Sequence, residues 1–220
     1  MTNHFQTLKP ALLGMLITVA LLLQCGRAQA GPRETVVVAG GCFWCVEADF
    51  ETVPGVISAV SGYTGGHVKN PTYNQVTRGG TGHYEAVKIT FDAGRVSRER
   101  LLQLFFRSVD PTDGGGQFCD RGDSYRTAIF VSDQAEKTLA EAVKAEAEAA
   151  LGKRIVTPIL TAGAFWLAED YHQDYYKGSK LILTRAGPKA QSDAYKFYRQ
   201  ACGRDDRVRQ LWGSAAAFVG

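Results

Sequence analysis

Two cysteines stand in the run Gly40-Gly41-Cys42-Phe43-Trp44-Cys45. A thiol can act as nucleophile, redox centre or metal ligand, and its pKa and exposure decide which. The stretch before it, Thr35-Val36-Val37-Val38, is β-branched and reads as a buried strand. Val46-Glu47-Ala48-Asp49-Phe50-Glu51 after it has helix-forming character. The two glycines predict a sharp strand-to-helix turn, because Gly takes positive φ without steric cost. Cys42 then falls at or just before a helix N-terminus, where unpaired N–H groups and the helix dipole favour a thiolate. Phe43 and Trp44 set two aromatic side chains beside it.

A second group that could do chemistry is Glu85, in His83-Tyr84-Glu85-Ala86-Val87-Lys88-Ile89-Thr90-Phe91. Side chains alternate faces along a strand. Glu85 therefore shares a face with Val87, Ile89 and Phe91. A carboxyl on an apolar face is desolvated, its pKa rises, and the neutral acid becomes a proton donor. At the strand edge it would instead pair with Arg or Lys.

These residues alone leave several readings open. Cys-x-x-Cys in an α/β chain suggests thiol–disulfide exchange, yet Phe43-Trp44 between the cysteines is bulkier and more apolar than such motifs usually carry. A zinc site lacks a second Cys-x-x-Cys, and His4, His67, His83 and His172 are scattered, so no metal is expected. Cys42, Cys45, Cys119 and Cys202 could also form two structural disulfides, with three connectivities possible.

The elements that must position these groups follow in order. The first thirty residues read as a secretory leader: a polar start with Lys9, an apolar run from Ala11 to Leu23, and the small-x-small cleavage site Ala28-Gln29-Ala30. The run is shorter than the roughly 20 apolar residues a membrane span needs. Leu22-Leu23-Gln24-Cys25 offers lipid anchoring at Cys25 as an alternative to a free exported, periplasmic form. Cleavage after Ala30 removes Lys9, Arg27 and no acid, so the net charge falls by two from +3 to +1, which argues against nucleic acid or an anionic surface as main partner. Both methionines, Met1 and Met15, lie in the leader. Residues 31–220 read as a single catalytic domain, with a core at about 34–185 and a C-terminal tail at 186–220.

Strands are predicted at 35–38, 56–62, 83–91, 125–131 and 155–160, and helices from Val46, over 98–106, over 133–151 and around 190–199. Residues 64–82 and 110–122 read as loops, rich in Gly. Ser97 is a plausible helix N-cap, Asp133-x-x-Glu136 resembles a capping box, and Gly152 closes that helix. The order β-α-β-β-α-β is the ferredoxin-like signature. The predicted fold is therefore α+β, a two-layer α/β sandwich with helices on one face of a mixed sheet.

Gly40-Gly41-Cys42-Phe43-Trp44-Cys45-Val46-Glu47 resembles the signature of the A-type peptide methionine sulfoxide reductases. Further stretches match in the same order: Val60–Gly66, Asn70-Pro71-Thr72-Tyr73, Gly82–Val87, Asp110-Pro111-Thr112, Gln117–Arg126 and Tyr171–Tyr175. The resemblance covers roughly Thr35 to Tyr176. It implies a ferredoxin-like α/β sandwich, in agreement with the strand order. It also implies that no cofactor is needed, that the S epimer of methionine sulfoxide is the substrate, and that a thioredoxin-like reductant is the partner; nothing in the sequence suggests more than a monomer.

Roles come with the resemblance. Cys42 matches the nucleophile that attacks the sulfoxide sulfur. Glu85 matches a buried acid, and Tyr73 and Tyr125 match two phenols that donate to the sulfoxide oxygen. Phe43 and Trp44 match the pocket for the substrate methyl group, and Asp120 a group that orients water and substrate. The tyrosines and aromatics fit ordinary packing equally well. The sulfenic acid left on Cys42 must be resolved by a second cysteine. Cys202, in the tail, is the expected resolving residue, ahead of Cys45 and then Cys119. Cys119 departs from the commoner family residue, and the tail holds a single cysteine where some members carry two. Two other classes stay open: a thiol–disulfide oxidoreductase working through Cys42 and Cys45, and a binding protein with structural disulfides.

Overall fold

The computed structural model describes residues 31–220; the leader read at 1–30 and the lipidation alternative at Cys25 lie outside the described residues. Strand β1 (Arg33–Gly40) runs through the middle of a six-stranded sheet. A corner leads from it into helix α1 (Phe43–Glu51) and strand β2 (Val56–Thr64). Helix α2 (Tyr73–Arg78) and strand β3 (Tyr84–Asp92) follow, then helix α3 (Arg98–Phe106). A small hairpin of β4 (Gly116–Gln117) and β5 (Asp120–Arg121) precedes β6 (Thr127–Val131) and the long helix α4 (Gln134–Leu151). Two short strands, β7 (Ile159–Thr161) and β8 (Trp166–Leu167), complete the sheet in the order β7-β6-β1-β3-β2-β8. All neighbours are antiparallel except β6 and β7. The sheet is therefore mixed, and its inner four strands have the predicted split βαβ arrangement.

Alternation decides which side chains meet the helices. Val38 pairs with Val87 on one side and Ile129 on the other. With Val36, Ile89 and Phe91 they form one face of the sheet, packed against Val46 and Phe50 of α1, Leu101, Leu102 and Phe105 of α3, and Ala140 and Val143 of α4. Each fully buried side chain of this size contributes about 1.5–3 kcal/mol. The opposite face carries a smaller cluster of Ala39, Tyr84, Ala86, Ala128 and Phe130.

The loops differ from the sequence reading in instructive ways. The stretch 64–82 contains α2, closed by a full capping box between Thr72 and Gln75. The stretch 110–122 contains the β4–β5 hairpin. The predicted strand at 155–160 is shortened to Ile159–Thr161. Asp133 caps α4 as expected, but Glu136 accepts from Ser132 N–H, one residue before the cap. The tail is richer than predicted: a hairpin of β9 (Leu181–Thr184) and β10 (Gly187–Ala190), helix α5 (Gln191–Ala201) and helix α6 (Arg204–Trp212). Its Val208 and Trp212 join the main core, and Phe218 packs on Phe50 with ring centroids 5.5 Å apart. Among the described residues, no helix is long and apolar enough to cross a membrane.

Candidate active site

The corner after β1 is tight for a steric reason. Gly41 has φ +83°, and a Cβ there would lie 2.6 Å from Gln117 Cβ. Gly40 is different: it remains in the strand, and a Cβ would press on Val46, Val109 and Phe105. One glycine turns the chain and the other lets α3 and its following loop approach. Cys42 is the N-cap of α1, and its side chain makes no capping bond.

Sheet register brings the partners to this corner. Continuing the Val38–Val87 pairing places Glu85 level with Gly40. Gly40 itself pairs with Thr127, so the short 3-10 turn carrying Tyr125 lies just past the end of β1. Glu85 is 1% exposed, on the helix-packed face as its alternation predicts. Its Oε2 accepts from the Phe43 N–H at 3.1 Å, while Oε1 is buried with no hydrogen-bond partner. Burial pushes the carboxyl up to about 8, against the Phe43 N–H that favours the charged form. Glu85 is therefore a neutral acid at pH 7, and Oε1 is the oxygen left to carry the proton.

Tyr73 and Tyr125 are half-buried, and their phenols contact each other beside Glu85. Burial and the Glu85 carboxyl raise both, Tyr73 to about 12, so both stay protonated donors. Trp44 is held on two sides: its ring stacks on Tyr175 at 3.7 Å, and its Nε1–H donates to His172 Nδ1 at 3.1 Å. Phe43 is 1% exposed and belongs to the core, with its ring against Tyr63, Tyr73 and His172. Its part in the site is to support Tyr73 and to give its N–H to Glu85.

Cys42 and Cys45 are free thiols in hydrogen-bond contact. That contact, burial, and the charges of Cys45, Glu85 and Asp120 push Cys42 up. The resting state thus differs from the thiolate expected of a helix start. Cys45 goes down, through the same contact and, against burial, through Arg204 and Arg199, so Cys45 is the more acidic thiol of the two. Cys119 and Cys202 are joined by a disulfide, with Cα atoms 4.9 Å apart. Cys202, expected to bridge to Cys42, instead meets the β4–β5 hairpin, because α5 ends against that hairpin. All four cysteines, with Asp120, Trp44, Tyr198 and Arg204, line one cavity of about 490 Å3. Burial raises the Asp120 carboxyl and Arg204 opposes that rise. Among the described residues, one group has three candidate metal ligands close together, Cys119, Asp120 and Cys202, and its two sulfurs are bonded to each other.

Several site residues had no role in the sequence reading. Glu169 accepts from the Tyr73 N–H through Oε1 and from the Tyr63 hydroxyl through Oε2, both at 2.8 Å. Burial opposes its charge, but these two donors hold it below the usual carboxylate range. His172 is buried and neutral, lowered to about 4 by burial. Glu47 accepts from the Ser61 hydroxyl and the Asp174 N–H, and the Gln173 amide bonds both Ser61 N–H and Ser61 C=O. These bonds stitch the irregular 168–175 segment to α1 and β2. Arg204 is 2% exposed, donates to the Gly40 and Ser108 carbonyls, and lies 3.7 Å from Asp49. Only the exact stretch Tyr171–Tyr175 hinted at this layer.

Comparison with known proteins gives a family model, "Peptide methionine sulfoxide reductase", that matches residues 34–212. A Rhizobium meliloti protein named peptide methionine sulfoxide reductase MsrA 2 is 47% identical over 205 residues, covering 93% of this chain and 95% of that one. A Caulobacter vibrioides protein of the same name is 49% identical over 197 residues, covering 89% and 94%. Among solved structures, methionine sulfoxide reductase A of Corynebacterium diphtheriae is 34% identical with a TM-score of 0.60, over 68% of this chain and 76% of that one. Reduced Mxr1 of Saccharomyces cerevisiae is 26% identical with a TM-score of 0.64, over 68% and 88%.

Proposed function

The chain belongs to the peptide methionine sulfoxide reductase family, and from that premise we propose that it reduces methionine sulfoxide in peptides and proteins, taking the S configuration at sulfur and using Cys42 as nucleophile. The Cys42 proton passes to Cys45, which Arg204 and Arg199 favour as thiolate. The Cys42 sulfur then attacks the sulfoxide sulfur. Charge moves onto the sulfoxide oxygen, which takes the proton of Glu85 and hydrogen bonds from Tyr73 and Tyr125. With a second proton, from Cys45, the oxygen leaves as water and Cys42 stays bonded to the substrate sulfur as a sulfonium; a water then attacks the Cys42 sulfur, the S–S bond breaks, methionine leaves, and Cys42 is left as a sulfenic acid with one proton released to Glu85. Trp44, fixed by Tyr175 and His172, gives the substrate methyl an apolar wall.

The observation that carries this reading is the Glu85 carboxyl: neutral, nine-tenths or more buried, with one oxygen held by the first N–H of α1 and the other unpartnered. Thiol–disulfide exchange has no departing oxygen to stabilise, so it leaves the two protonated phenols beside that acid, Tyr73 and Tyr125, without a task. The regenerating partner is a thioredoxin-like dithiol, and the leader at 1–30 directs export with cleavage after Ala30. N-terminal sequencing of the exported protein tests the latter: a start at Gly31 supports it, and a lipid-blocked Cys25 replaces it.

The activity is tested by single-turnover reduction of N-acetyl-methionine sulfoxide by pre-reduced protein, resolved by sulfur epimer. Consumption of the S epimer alone is expected. Equal consumption of both epimers, or no methionine, overturns the reading.

A further inference from the structure

Glu169 touches none of the reacting groups, yet each of its carboxylate oxygens is committed to a tyrosine beside them. Oε1 accepts from the Tyr73 N–H and Oε2 from the Tyr63 hydroxyl, both at 2.8 Å. Tyr73 is the first residue of α2, so its N–H has no partner inside the helix. The capping box serves the N–H groups of Thr72 and Gln75 and leaves that of Tyr73 to Glu169. Tyr63 is fully buried and lies on β2 directly across from Glu85 on β3. One carboxylate thus joins the backbone that carries a phenol to the strand neighbour of the buried acid.

Glu169 is itself anchored. Strand β8 pairs with β2 at Gly62 and Tyr63, and the next residue, Ala168, donates its N–H to the Ser61 carbonyl at 3.0 Å. The side chain at 169 therefore starts from backbone fixed to the strand that holds Tyr63. Helix α2 packs lightly by comparison: of its six residues only Val76 is buried, and Gly79 ends it.

We propose that Glu169 is a positioning residue of the reaction: by holding the Tyr73 N–H and the Tyr63 hydroxyl together, it keeps the Tyr73 phenol within reach of the oxygen that Glu85 protonates. This rests on the reductase reading above. Glu169 gives no proton and binds no substrate. It is charged at pH 7, so both of its hydrogen bonds are charge-assisted and the donor is oriented before charge develops on the oxygen. Tyr125 hangs from a different element, the 3-10 turn before β6, and its aim is set there.

The test is a double-variant cycle, read as the single-turnover rate at saturating S-sulfoxide. E169A is expected to lose about tenfold, as Y73F does, with KM little changed. E169A/Y73F is expected to be at most about twofold slower than Y73F, because the phenol that Glu169 positions is already gone. E169Q is expected to recover most of the rate: its amide accepts from the Tyr73 N–H through oxygen and donates to the Tyr63 hydroxyl through nitrogen. The fall in rate as pH rises through about 8 is expected to persist in E169A, since Glu85 is untouched. Should E169A fail to fold, Y63F with and without Y73F runs the same cycle through the other oxygen, with a few-fold loss alone and none beyond Y73F. Multiplicative losses in either cycle overturn the proposal. So does a full-rate E169A, a loss confined to KM, the disappearance of the pH limb in E169A, or an E169Q as slow as E169A. Absence of methionine from the unsubstituted protein overturns the reductase reading instead.

Discussion

On one side of Cys42 the acid and the two phenols hang from the sheet, from the first turn of α2 and from the 3-10 turn before β6; on the other, Cys119, Cys202 and Arg204 come from a hairpin and the tail helices. The first side is dry and made of neutral donors: Glu85, Tyr73 and Tyr125 all hold their protons at pH 7. The second carries charge: Arg199 donates to Asp49 at 2.7 Å, and Arg204 lies over Asp49 and lowers Cys45. The difference separates two tasks. Giving a proton to an oxygen needs groups that are still protonated at working pH. Moving a disulfide needs thiolates, which nearby cations favour.

The sharpest way to break this division is E85Q. The amide keeps the acceptor for the Phe43 N–H and removes the proton, so single-turnover reduction is expected to fall about 10²–10⁴-fold with the fold retained. In the unsubstituted protein the rate is expected to fall as pH rises through about 8, where Glu85 loses its proton; that limb should vanish in E85Q. Stability follows the same sign. A carboxyl raised from 4.5 to about 8 contributes stability below its unfolded pKa, and this is lost as pH rises toward 8. E85Q should therefore melt higher than the starting protein at pH 9, and equal melting would sink the buried-acid assignment.

Next in size are Y73F and Y125F. Each removes one donor to the developing oxygen charge, and about a tenfold or greater loss of rate is expected from each, with KM little changed. A loss confined to KM would make the phenols substrate-packing groups.

R204M probes the other side. It leaves the Gly40 and Ser108 carbonyls without that donor and removes one of the two cations facing Asp49, whose carboxyl burial already pushes up to about 6. A stability loss on the order of 3 kcal/mol is expected in urea unfolding, with only a few-fold change in the first-turnover rate at temperatures where the protein stays folded. A rate loss as large as that of E85Q would show that the two sides are not separable. Smallest of all, Y175L removes the face that stacks on Trp44, a contact worth about 1 kcal/mol, and a few-fold rise in KM is the expected readout.

Much of the front side is legible in sequence because it depends on short-range geometry. The glycine corner, the N-cap place of Cys42 and the apolar face of Glu85 follow from φ preference and the two-residue period of a strand. Helix α2 had a readable start in Thr72-x-x-Gln75, but Pro71 and Gly79-Gly80 around it drew that stretch toward loop. Glu169 and His172 had no such signal: they sit on irregular backbone, and what fixes them is the Glu47, Ser61 and Gln173 bonding from other elements.

By itself, then, the sequence determined the ferredoxin-like strand order, the thiol at the helix start and the desolvated acid behind it, since alternation and local turn chemistry act within a few residues. Tertiary structure alone decided which sulfurs meet and which thiol of the Cys42–Cys45 pair is the more acidic. Pairing Cys202 with Cys119 closes a separation of 83 residues, and the cost of such a closure changes only slowly with length. The choice among partners therefore came from where α5 and α6 dock, through Arg204, Val208 and Trp212, and not from any spacing along the chain.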